Sequence, residues 1–74
     1  MTEITNESRA LRGEHAVTAY KAHFRVGDGA RVGDLLTDLM HWCYRNGIEF
    51  SMELSDAQFN YTEERAQEAQ EEAL

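Results

Sequence analysis

The chain has 74 residues, 42% of them hydrophobic and 28% charged, with 14 acidic residues against seven basic ones and a net charge of −7. That length holds one domain at most, and so short a domain buries only ~60% of the surface its unfolded chain exposes, so it leans on oligomerisation, a metal or cross-links. Cys43 is the only cysteine, which excludes an internal disulfide, and the lack of a leader pattern or of an ~18-residue apolar run predicts a cytoplasmic protein without a membrane partner.

The charge is lopsided. Residues 1–31 carry five bases (Arg9, Arg12, Lys21, Arg25, Arg31) and four acids, a net of +1, whereas residues 32–74 carry two bases (Arg45, Arg65) and ten acids, a net of −8. A field of that sign repels nucleic acid and attracts basic proteins, so direct DNA or RNA binding is not expected. No proline occurs. Gly27-Asp28-Gly29 and Asn46-Gly47 supply the breaks and divide the chain into three segments.

In the first segment Ala10, Gly13, Val17, Tyr20 and Phe24 make a helical stripe. Asn6 is placed to cap it and Glu7 falls in the first turn, which predicts a helix near 7–24 after a disordered stretch 1–6. Gly13 weakens that helix by ~1 kcal/mol relative to alanine. Tyr20, Ala22, Phe24 and Val26 also alternate with Lys21, His23 and Arg25 before a Gly-Asp-Gly turn, a pattern that fits a strand over 18–26.

The middle segment reads more simply. Val32, Leu35, Leu36, Leu39, Met40 and Cys43 form a wide apolar stripe opposite Asp34, Asp38, His41 and Arg45. Acids early and a base late suit the helix dipole. Gly47 can take the left-handed position that stops the helix, and Ile48 can fold back on Cys43. The spacing predicts a helix from about Ala30 to Asn46.

In the last segment Phe50, Leu54, Ala57 and Tyr61 share one helical face, which predicts a helix from about 50 to 72 with 73–74 frayed. Ile48, Phe50, Met52 and Leu54 alternate with Glu49, Ser51 and Glu53, so a strand over 48–54 also fits, with Ser55 and Gln58 forming a capping box behind it. The fold expected is all-α: a helical hairpin covered by a first helix, two or three helices in all. The alternative is α+β, with short strands near 18–26 and 48–54.

Read together, Leu35-Leu36-Thr37-Asp38-Leu39-Met40-His41-Trp42-Cys43 and the following Gly47, Phe50, Leu54, Ala57, Tyr61 and Glu64 resemble a loosely defined group of small uncharacterised proteins of bacteriophages, plasmids and bacterial genomic islands. The resemblance covers roughly residues 32–64. It implies a helical hairpin in a protein of phage or mobile-element origin acting inside a bacterial host, and it implies no activity.

The chemistry-bearing side chains do not assemble into a catalytic or metal site. Asp38 and His41 are two ligands on one helix face, too few to enclose an ion, and His15 and His23 lie in another segment. Cys43 and His41 are two apart and point ~200° from each other around a helix, so a thiol–imidazole pair is not expected. Trp42 and Tyr44 flank the leucine stripe, where each fits either a core edge or a binding anchor. Met52, Phe59, Ala66 and Ala73 repeat every seven residues on the face away from Phe50 and Tyr61, and need either the first helix or a second molecule to cover them. Glu63, Glu64, Glu68, Glu71 and Glu72 give the C-terminal stretch an acidic surface. The expected function is non-enzymatic protein–protein interaction without a cofactor. The partner is a host factor or a second copy through Trp42, Tyr44, Met52, Phe59 and Ala66. One alternative is an acidic mimic of nucleic acid that blocks a basic nucleic-acid-binding protein, and another is a homo-oligomerisation module such as a homodimer.

Overall fold

The computed structural model describes residues 4–24 and 31–73. Three helices follow one another: α1 (Asn6–Phe24), α2 (Val32–Arg45) and α3 (Phe50–Ala73). Among the described residues there is no strand. The α+β alternative is overturned, since residues 18–24 lie in α1 and residues 50–54 in α3. A strand at either place needs a neighbour to satisfy its peptide groups, whereas a helix closes those bonds within itself. Ser55, the start of the alternative's capping box, lies inside α3. The Gly27-Asp28-Gly29 break, Ala30 and residues 25–26 of the alternative strand lie outside the described residues, as do residues 1–3 and 74.

The cap of α1 falls one residue earlier than the sequence indicates. Thr5, not Asn6, holds the N-cap: the Ser8 N–H donates to Thr5 Oγ1 at 3.1 Å while the Thr5 N–H donates to Ser8 Oγ at 3.0 Å. The two residues thus satisfy each other's free amides. Asn6, released from capping, reaches across to α3. At the start of α2, the Asp34 carboxylate accepts the Arg31 N–H at 3.0 Å, and an acid there also suits the dipole.

The stop between α2 and α3 is the Schellman turn that the glycine implies. Gly47 has φ +69; its N–H donates to the Tyr44 carbonyl at 3.4 Å, and the Ile48 N–H to the Cys43 carbonyl at 2.9 Å. The Asn46 side-chain amide adds a bond to the Trp42 carbonyl at 2.8 Å. Cys43 is buried here, 7% exposed, with Ile48 and Phe50 half-buried around the bend. Two glycines therefore predict opposite effects. A Cβ at Gly47 meets nothing within 4 Å, so Gly47→Ala costs the left-handed backbone alone, about 1 kcal/mol or slightly more. Gly13, exposed in mid-α1 with equally open space, should gain about 0.5–1 kcal/mol as alanine. Melting followed by circular dichroism should lower Tm for the first variant and raise it for the second, by about 4–8 °C per kcal/mol.

The three helices touch near three corners. The bend joins α2 to α3. Tyr20 of α1 donates its hydroxyl to Asp38 Oδ2 of α2 at 2.5 Å. At the third corner the Arg9 guanidinium meets the Glu64 carboxylate at 3.1 Å, and the Asn6 side-chain amide donates to the Glu64 carbonyl at 3.1 Å and to the Glu68 carboxylate. Between the corners packing is thin. Leu36, Leu39 and Leu54 remain 42%, 40% and 43% exposed, and Cys43 alone among the described residues is a buried hydrophobic. The apolar faces of α2 and α3 thus close at the bend and part beyond it, a shorter seam than the stripes Val32–Cys43 and Phe50–Tyr61 imply.

Candidate interaction surface

The helical repeat sorts each helix into an inner and an outer row. On α3, Phe50, Leu54, Ala57, Tyr61, Glu64 and Glu68 lie within about 40° of one direction. Phe50, Glu64 and Glu68 on that row are half-buried, which fixes it as the inner one. On α1 the inner row is Asn6, Arg9, Gly13, Val17 and Tyr20, and all but Gly13 are half-buried. Both rows are apolar at one end and polar at the other, and the polar ends meet in the Asn6–Arg9–Glu64–Glu68 cluster. Within that cluster Arg9 Nη1 also donates to Asn6 Oδ1 at 2.8 Å, and Arg65 pairs with Glu68 at 3.1 Å.

The acidic surface is therefore divided. Glu64 and Glu68 hold α1, while Glu63, Glu71 and Glu72 are exposed. Extending the Phe50–Tyr61 row by three and by four residues reaches Glu64 and then Glu68. That signal was present in the sequence, but nothing there tied it to Arg9 and Asn6, more than fifty positions away.

Met52, Phe59 and Ala66 form the outer row of α3, ~180° from the inner one. Met52 is 61% exposed and Phe59 67%, and Ala66 is exposed. α1 does not cover this row, because it sits on the Glu64 side. Trp42, 55% exposed, lines a shallow groove between α1 and α2 together with Tyr20, Leu35, Asp38 and Leu39. Tyr44 is 87% exposed on a different face of α2. The five expected contact residues thus fall into an α3 row, a groove edge and an isolated tyrosine.

Asp38, which with His41 makes two ligand-type side chains on the polar face of α2, is the acceptor that ties α1 to α2. Among the described residues no group of three or more His, Cys, Asp and Glu side chains could hold a metal ion. No helix among them is long and apolar enough to cross a membrane. The hydrogen bond from Tyr20 to Asp38, with desolvation and the charges of Asp38 and Asp34 behind it, pushes the tyrosine pKa from 10.0 up to about 12. The neutral hydroxyl is the donor, so this corner is intact below pH 10 and is lost as pH rises through about 12. Absorbance titration of tyrosinate should show a late component that Tyr20→Phe removes, and α1 amides should lose protection from exchange over the same interval.

The chain matches no family model, no curated protein and no solved structure.

Proposed function

We propose that this is a non-enzymatic protein-interaction module, an accessory protein of a phage or mobile element that engages a protein of its bacterial host. The observation that carries this reading is the outer row of α3, where Met52 is 61% and Phe59 67% exposed and α1 packs on the opposite side. Large apolar and aromatic side chains left exposed in contiguous patches are the usual mark of a docking surface, and aromatic anchors dominate binding energy. Trp42 at the edge of the α1–α2 groove is a second anchor of the same kind.

The division of the acidic residues weighs against the nucleic-acid mimic. Two of the five C-terminal glutamates are held against α1, so that end of the acidic surface is reduced to Glu63, Glu71 and Glu72, while Glu49, Glu53 and Asp56 stay exposed nearer the bend. The two readings respond differently to salt: binding through apolar anchors persists as salt rises, whereas a mimic releases its basic partner.

A photo-crosslinking phenylalanine analogue placed at position 59 or 42 in bacterial cells tests the proposal. The expected result is a covalent adduct to another protein from each position and none from Thr18, an exposed polar site on α1. Absence of any adduct from both positions overturns the reading.

A further inference from the structure

Among the features of the fold, the exposed leucines on the inner rows of α2 and α3 carry an inference furthest. We infer that a second copy of this chain packs into the open side of the α2–α3 wedge, against Leu36, Leu39 and Leu54, as the other half of a two-fold homodimer. This rests on the interaction-module reading but assigns a different surface, the inner rows, to a specific partner.

The chain exposes 6812 Å², whereas a compact monomer of 8.5 kDa exposes ~4,650 Å². Its radius of gyration is 15.2 Å against ~11 Å for a compact domain of this length. The excess surface is ~2,100 Å² per chain, and it is still ~1,000 Å² if every residue outside the description is charged with the full surface of extended chain. Two chains therefore hold ~2,000–4,200 Å² of surplus surface, the range that obligate homodimers bury.

The residues say where the surplus lies. Leu36 and Leu39 share the α2 stripe with the buried Cys43, and Leu54 shares the inner row of α3 with the half-buried Phe50. All three leucines stay well exposed on rows that also hold those covered residues, Leu36 at 42%, Leu39 at 40% and Leu54 at 43%. A permanent interface of this size needs a partner present whenever the chain is made, and the chain itself meets that condition. A two-fold axis lets each wedge receive the other and closes the assembly at two copies.

Sedimentation equilibrium on the full chain, with circular dichroism on the same samples, decides the matter. The expected mass is twice 8.5 kDa, with a Tm that rises with protein concentration, as coupled folding and association require. Leu36→Glu should halve the mass or unfold the chain, and Phe59→Glu, on the opposite side of α3, should leave the doubled mass unchanged. A folded wild-type chain at the single-chain mass with a concentration-independent Tm overturns the inference. So does a doubled mass that Leu36→Glu retains, or one that Phe59→Glu abolishes while the variant stays helical. A monomeric wild type that still forms adducts through position 59 sinks the dimer alone, and a dimer with no hetero-adduct at positions 59 and 42 sinks the host-partner reading alone.

Discussion

Cys43→Asp is expected to abolish the cooperative melting transition and most of the helical circular dichroism signal. Cys43 is the only buried hydrophobic side chain among the described residues, 7% exposed, and it sits where α2 turns into α3. The bases nearest in sequence, His41 and Arg45, are each two residues away, ~200° around the helix, and exposed, so neither faces a carboxylate placed there. Burying an unpaired charge costs several kcal/mol, as much as the ~3–5 kcal/mol that a core of this size supplies. Cys43→Ala is the matched control. It removes one heavy atom from the same site and should cost about 1 kcal/mol, leaving a lower but still cooperative transition. Equal Tm values for the two variants would show that the bend is not what holds the hairpin.

Arg9→Glu is expected to release α1. It removes the guanidinium that meets Glu64 at 3.1 Å, strips Asn6 of a partner, and sets a third carboxylate beside Glu64 and Glu68. The Arg9–Glu64 pair is about two-thirds buried. Losing its attraction and adding repulsion amount to about 1–2 kcal/mol. That is enough because little else holds this end of α1. A nineteen-residue helix interrupted by Gly13 is marginal once undocked, so α1 should melt as it leaves. Amide exchange should accelerate throughout α1 while α2 and the first half of α3 keep their protection. Molar salt should reproduce a weaker version in the wild type, since screening shortens to ~3 Å. Arg9→Glu combined with Glu64→Arg should restore most of the loss.

These two variants probe parts of the fold that were unequally legible. The α2 helix and its stop could be read directly: the stripe Val32–Cys43 fixes the inner face, and Asn46-Gly47-Ile48 has the residues a Schellman turn needs, down to the bond from Ile48 to Cys43. The length of α3 was also legible, because alanine, glutamate and glutamine dominate after Asp56 and outweigh the short alternation from Ile48 to Leu54. What spacing does not encode is the angle at which two helices meet. The stripes on α2 and α3 were consistent with a closed hairpin, yet the helices part beyond Cys43, and Leu36 and Leu54 stay exposed. The contact of α1 with α3 was hidden for another reason. It is made by Asn6, Arg9, Glu64 and Glu68, residue types that most often face solvent, and no local pattern distinguishes an acid waiting for a distant arginine from one that is merely hydrated. For the outer surface the seven-residue repeat Met52–Phe59–Ala66 marks a second face of α3, which is exposed, but leaves open what lies against it.

The enclosed sulfur at the bend makes the protein its own reporter of hairpin breathing. With no second cysteine in the chain and Cys43 buried at the bend, an alkylating reagent gains access only during the intervals when the two helices separate. Its labelling rate, divided by that of a free thiol under the same conditions, is then the fraction of time the hinge stands open.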